Sequence, residues 1–394
     1  MPDDDAAIEL EEYTVGWLCA LPFEMAAAKG MLDRIHPDLC EQDPYDHNSY
    51  TLGEIQGHYV VIACLPAKNH GSCSVATVAK DLQRTFKSIR FGLLVGIGSG
   101  APSPQHDIRL GDVVISQPSG TLGGVVQHDR GKILPQGGFQ RTGYLNAPPQ
   151  LLLTALARLQ ATHMGEDSRV PEFLAQLVAK VPQRMKDKFS YQGASNDRLY
   201  QADYHHVKSE DLTCNGCDKS HIIHRPDRDD TDPYFHYGII ASASAAVKDG
   251  QTRQRLSQEH GAMCFETEAA GLYDFPCLII RGIYDYADSH TQDLWQEYAS
   301  ATAAAFAKEL LLFVAPGRIR REEKAFHEVA STAYKGFEIP VQSLAQQNYI
   351  RHMLNNQPMS LYMVDSARYD SEGNQESTRY EDGTRPLGLE AIEK

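Results

Sequence analysis

The chain has 394 residues, 42% of them hydrophobic and 23% charged, with a formal net charge of −15 and a pI near 5.5. That length suits one large domain with an appended tail and supports a substantial core, while the net negative charge disfavours broad adhesion to nucleic acid or to an anionic membrane. An anionic ligand would need a local cationic pocket. The opening residues, MPDDDAAIELEEY, are acidic where a secretory leader is basic, and no apolar run reaches the roughly 18 residues needed to span a bilayer. A cytoplasmic protein is the expectation. Of the eight cysteines, Cys19, Cys64, Cys264 and Cys277 lie inside apolar runs and read as small core residues, not as a secreted disulfide framework.

Residues 13–21, YTVGWLCAL, are rich in β-formers and lead through Pro22 into an Ala/Met/Leu run ending at Leu32. The pattern predicts a strand, a turn and a helix start. Pro22 suits the first helical turn, so Glu24 falls near a helix N-terminus, where the macrodipole favours its ionised form. By position alone a simple helix-start charge is the commoner reading. A polar, hairpin-like stretch at 46–50 precedes a buried strand at His58–Leu65, a loop at Pro66–Ser72 that carries Lys68 and His70, and a helix over Val75–Phe86. A second buried strand, Phe91–Ile97, ends in the run Gly96-Ile97-Gly98-Ser99-Gly100. Glycines at a strand end let backbone N–H groups approach a ligand oxygen. A tight turn is an equally common reason for such a run, which has neither a dinucleotide fingerprint nor a P-loop.

Residues 117–143 are Gly-rich and predict a hairpin over the sheet edge without chemistry, and 150–161 and 171–181 predict amphipathic surface helices. The most polar stretch, 195–232, contains a Cys214-x-x-Cys217 pair, several histidines, and Arg225 and Arg228. One such cysteine pair can bind zinc, but without a second pair the balance favours a loop, and neither metal nor cofactor is expected. Arg225 and Arg228 either meet a phosphate tail or are solvated beside Asp227, Asp229 and Asp230. Residues 236–242, HYGIIAS, predict a strand running toward a helix past Ala246 and Val247.

The stretch 262–290, AMCFETEAAGLYDFPCLIIRGIYDYADSH, predicts strand, helix and strand. It places Glu266, Glu268 and Asp285 where buried strands emerge, which is where α/β proteins hold ligands. A helix follows over 293–314, with Leu294, Tyr298, Ala301, Ala305 and Leu312 on its apolar face and Trp295 and Tyr298 as core anchors. Beyond Pro316-Gly317 the character changes: Arg318, Arg320, Arg321 and Lys324 form a short basic patch, and the composition of 317–394 predicts an extension that is partly docked and partly flexible.

FETEAAG and RGIYDYAD resemble the signature of the purine and uridine phosphorylase superfamily, and GIGSG followed by LGDVVIS resembles its glycine loop and the next strand, in the same order. The resemblance covers roughly 13–316 and looks like the fungal branch, whose members often precede nucleotide-switch signalling domains. It implies a three-layer α/β/α sandwich around a mixed, partly barrel-like sheet, and assembly into a homo-oligomer.

It also implies an activity. Asp285 would protonate the departing purine, Glu24 would activate water, and Glu268 would bind the ribose hydroxyls. Glu266 and Thr267, the backbone of Gly98 and Ser99, and Ala246 and Val247 would contact substrate. Leu94 and Glu24 stand where the bacterial phosphorylases place phosphate-binding arginines, so water is the expected nucleophile. The expected reaction is hydrolysis of an adenine-type nucleoside or nucleotide, a small molecule, with Arg225, Arg228, Lys68 and His70 converging on any 5′-phosphate tail. A phosphate-dependent phosphorylase and a catalytically silent ligand-sensing module are the alternatives.

Overall fold

The computed structural model describes residues 8–207, 214–290, 293–322, 324 and 325. The chain divides into two compact units, Met1–Ser331 and Thr332–Lys394. The second unit, and with it most of the expected 317–394 extension, lies outside the described residues.

The first unit begins with strand β1 (Val15–Cys19) and helix α1 (Pro22–Met31), with Pro22 in the first helical turn as its fixed φ favours. There follow β2 (Arg34–Ile35), β3 (Tyr50–Ile55), β4 (His58–Cys64), α2 (Ser72–Thr85), β5 (Phe91–Gly100) and β6 (Val113–Ser116). The Gly-rich region supplies β7 (Val125–Gln127), which joins the main sheet, and a small hairpin of β8 (Gly131–Ile133) and β9 (Phe139–Arg141). Helices α3 (Gln150–His163), α4 (Val170–Lys180) and α5 (Gln183–Lys186) precede β10 (Phe235–Ser242), α6 (Gly250–His260), β11 (Ala262–Glu266), β12 (Cys277–Asp285), α7 (Gln296–Leu312) and α8 (Pro316–Ile319). No helix among the described residues is long and apolar enough to cross a membrane.

The main sheet runs β11-β10-β6-β12-β5-β1-β4-β3-β2, with β7 added beside β10. The end of β5 also pairs antiparallel with β11, Ser99 opposite Phe265 and Gly100 opposite Cys264, so five strands close into a barrel while β1 to β4 continue as an open wing. Its pairings are mixed: β10 is parallel to both β11 and β6, and β12 is parallel to β5, whereas β12 with β6 and β5 with β11 are antiparallel. Helices cover both faces. Gly16 of β1 faces Leu82 of α2, whereas Gly282 of β12 lies against α7 so closely that an added Cβ would sit 1.8 Å from the Ala299 carbonyl oxygen. This is the three-layer, partly barrel-like architecture expected.

Three elements differ from the sequence reading. The Gly96–Gly100 run is not a loop; β5 continues straight through it. Between β11 and β12 there is one 3₁₀ turn, Ala269–Leu272, because the short span 267–276 must reverse direction and start a new strand. Helix α7 is buried on nearly every side, while Leu294 is exposed outside it. Its two buried charges are satisfied: Lys308 Nζ meets Asp33 Oδ1 at 2.6 Å and donates to the Met31 carbonyl, and Glu309 accepts from Ser168 Oγ and the Arg169 N–H. A helix can be buried all round when its charges are paired in this way.

Candidate active site

Where β1, β5, β10, β11 and β12 end, their side chains and the following loops enclose a cavity of about 160 Å³. It is lined by Glu24, Gly98, Ser99, Ala246, Val247, Glu266, Thr267 and Glu268, all expected from the sequence, and by Ala20, Leu21, His70, Ile97, His128, Ala245, Phe265 and Tyr284. Among the described residues no lysine or arginine lines it.

Glu24 reaches the cavity because helix α1 starts directly after β1. Its Oε2 accepts from the Ala20 and Leu21 N–H groups at 2.6 and 3.0 Å, closing the first turn of its own helix, while Oε1 accepts from the Ile97 N–H at 2.8 Å. The helix-start role and the cavity role therefore coexist in one side chain. Burial pushes its carboxyl up to about 7, against the opposing pull of Arg281 and the hydrogen bonds from Ile97 and Ala20. The glycine run explains how the carboxylate fits: a Cβ at Gly96 would stand 2.3 Å from Glu24 Oε1 and 2.7 Å from Arg281 Nη1. Gly96 makes room for Glu24 and Arg281, and Gly98 for Cys264, so neither serves a turn.

Arg281, from the middle of β12, is 0% exposed and donates through Nη2 to Glu266 Oε2 at 2.5 Å and Glu268 Oε2 at 3.1 Å. Glu266 is further engaged by the N–H groups of Glu268 and Ala269, which it caps as the chain leaves β11. Burial raises its carboxyl above the usual range although Arg281 opposes this. Its lone pairs are thus spent on the protein. Glu268 keeps more freedom: Oε1 takes the Thr267 hydroxyl at 2.6 Å, and the carboxylate borders the cavity.

Asp285 ends β12 opposite Ser99 and is 1% exposed. It is not among the lining residues but directly follows one, Tyr284, with Oδ1 accepting the Ala287 N–H at 3.2 Å and Oδ2 held 2.5 Å from Lys248 Nζ. Lys248 follows the lining residues Ala246 and Val247 and also reaches the Tyr284 hydroxyl at 3.2 Å. Burial acts to lower its pKa, but the Asp285 carboxylate prevails and holds the ammonium above its ordinary range. Sequence reasoning missed Lys248 and Arg281. Arg281 had a signal, being a lone charge inside the apolar run of β12. Lys248 had none, since its partner lies far along the chain.

The expectation for the two arginines of the polar stretch 195–232 is not met. Arg225 donates to Asp197 Oδ2 at 2.8 Å, the Tyr286 hydroxyl at 2.9 Å and the Ile108 carbonyl at 3.0 Å. Arg228 grips Asp112 through both guanidinium nitrogens at 2.6 and 2.7 Å. Burial works to raise the Asp112 carboxyl, but Arg228 and His236 hold it below its usual range. Both arginines line a separate cavity of about 330 Å³ with Asp112, Asp197 and Tyr191. Buried carboxylates neutralise them, so neither faces the Glu24 cavity. Lys68 also does not line that cavity, whereas His70 does.

The site is thus a closed barrel of mixed strands with carboxylates at its strand ends around a cavity. No protein-family model matches the chain. Over 312 residues the chain is 45% identical to a nucleotide-binding leucine-rich repeat (NLR)-like protein of Hyaloscypha variabilis, covering 79% of this chain and spanning 30% of the length of that relative. Over 306 residues it is 23% identical to a 5′-methylthioadenosine/S-adenosylhomocysteine nucleosidase of Mycobacterium bovis, covering 76% of this chain and 95% of that protein. It is also similar to the structure of futalosine hydrolase of Helicobacter pylori, with 16% identity, a TM-score of 0.48, and coverage of 77% of this chain and 99% of that one. The motif order and the mixed, barrel-closing sheet are thus accompanied by a similarity to the mycobacterial nucleosidase over nearly the whole of that protein.

Proposed function

We propose that this domain is a purine nucleosidase, hydrolysing the N-glycosidic bond of an adenine-type nucleoside to free base and ribose. The observation that carries this reading is the charge of the cavity: three glutamates and no lysine or arginine among the described lining residues. A phosphate nucleophile would enter against those carboxylates with no cation to receive it. Leu94, where an arginine would serve a phosphorylase, is 0% exposed in the core of β5. Water needs no such partner.

In the proposed mechanism the purine lies between Phe265, Tyr284 and the backbone of Ala246 and Val247, with the ribose over Gly98, Ser99 and Glu268. Cleavage places positive charge on the sugar and negative charge on the leaving base. Glu268, anchored by Arg281 and Thr267, binds the ribose hydroxyls and faces the developing cation. Glu24, with a carboxyl near 7, takes the proton of the attacking water, the range in which a general base is most effective near neutral pH. Asp285, next to the lining residue Tyr284, relays a proton to the base: it takes the proton from the Lys248 ammonium 2.5 Å away and passes it to the leaving purine, and the neutral lysine is reprotonated from solvent.

The same lining favours an uncharged 5′ end. Adenosine is expected to be cleaved with a kcat/KM at least about tenfold above AMP and ATP, one tenfold step being about 1.4 kcal/mol of discrimination. Comparing the three substrates by initial rates of purine release tests this. ATP as the better substrate would refute the nucleoside reading and require a cationic 5′ site that the described residues do not supply.

A further inference from the structure

We propose that Cys214, Cys217 and His206 form a metal site of the zinc type that fastens the described parts of the polar stretch 195–232 to the chain leaving β12. The ligand atoms of these three residues lie within 4.8 Å of one another, and both cysteines are buried. A tetrahedral zinc with Zn–S of about 2.3 Å and Zn–N of about 2.0 Å needs ligand atoms roughly 3.3–3.8 Å apart. Small side-chain rotations close that difference. The two thiols come together because the chain makes one 3₁₀ turn over Cys214–Gly216, with the Cys217 N–H donating to the Cys214 carbonyl at 3.3 Å, and neither is in a disulfide.

The donor set suits the ion. Binding zinc to two thiols and a neutral imidazole releases two protons and leaves a centre of zero net charge, so it can be buried without a counter-ion. Soft sulfur with imidazole selects zinc over calcium or magnesium. A second observation points to the same place. His290 is 2% exposed, its Nε2 is buried without a hydrogen-bond partner, and its ring centroid lies 5.6 Å from that of His206. It lies outside the group of three ligand atoms but beside it, and a ring rotation toward the ion would offer it as a fourth ligand.

The site would hold more than its own loop. The His206 N–H donates to Ser289 Oγ at 2.8 Å, and Tyr200, clustered with the two cysteines, stacks on His290 at 4.1 Å. A metal there pins the described ends of this polar stretch to residues 286–290, which follow Asp285 directly. The single cysteine pair, too weak a signal from spacing alone, gains its third ligand only through the fold.

Metal content and cobalt substitution test the proposal on the full chain purified under reducing conditions. About one equivalent of zinc per chain is expected after equilibration with zinc and desalting. Co²⁺ added to metal-free protein should give the intense visible bands and the near-ultraviolet thiolate charge-transfer band of a tetrahedral thiolate site, both displaced by zinc. Cys214→Ser/Cys217→Ser should lose the zinc and the bands, and His206→Cys should retain both. A strong chelator should lower the melting temperature of the wild type but leave that of the double variant unchanged. Absence of cobalt bands in reduced wild type overturns the proposal without recourse to any variant, and so does zinc retained by a folded double variant. A Cys214–Cys217 disulfide that persists under reduction does the same.

Discussion

Glu24→Gln should lower purine release by at least about 10²-fold, and Asp285→Asn by a comparable factor, because each removes a proton-transfer group typically contributing 10²–10⁴-fold. Both variants should retain the wild-type circular dichroism spectrum. The pH profile separates the two roles. With the Glu24 carboxyl near 7, wild-type kcat/KM should fall as pH drops below about 7, where the base takes up a proton, and level off above it. That acid limb should vanish in Glu24→Gln and survive in Asp285→Asn. Stability follows the same group with a fixed sign. Its folded pKa of about 7 lies above the ordinary glutamate value of 4.5, so folding is most favoured below 4.5 and loses roughly 3 kcal/mol as pH rises through 7. Relative to wild type, Glu24→Gln should therefore gain stability between pH 4.5 and 7. Near-normal turnover by folded Glu24→Gln, with the acid limb intact, would contradict the assignment.

Arg281→Leu is expected to cost about 3–5 kcal/mol of stability, the usual penalty for leaving buried charge without its partner. Arg281 is the cation between Glu266 and Glu268, and it also offsets the burial of Glu24. Without it, three carboxylates crowd one desolvated site and must protonate or separate. The loss should be largest at high pH, where the carboxylates are ionised, and smaller near pH 5. Urea unfolding at both pH values measures it; an unchanged midpoint at pH 8 would mean that solvent reaches these glutamates after all.

The cavity was legible where chemistry is local in sequence. Pro22 fixed the helix start that carries Glu24, and the β11–β12 signature placed Glu266, Thr267 and Glu268 on one strand exit. It was illegible where partners are distant. Arg228 answers to Asp112 at a separation of 116 residues and Arg225 to Asp197 at 28, so local aspartates gave no warning that the fold would neutralise both elsewhere. Lys248 and Asp285 are 37 residues apart. The glycine run misled for a related reason: the need for glycine at Gly96 comes from Glu24 and Arg281, which only the closed barrel brings beside it. Helix α7 read as amphipathic because its pairing residues, Asp33 and Ser168, lie on other elements.

The account stands on water being the nucleophile that Glu24 activates, and the sugar product reports this directly. Adenosine should be incubated with the protein in buffer containing millimolar orthophosphate, and the sugar recovered and identified by mass. Free ribose, formed at the same rate with and without phosphate, is the predicted result. Ribose 1-phosphate, or turnover that requires phosphate, would show that the acidic cavity admits an anionic nucleophile and would contradict the account.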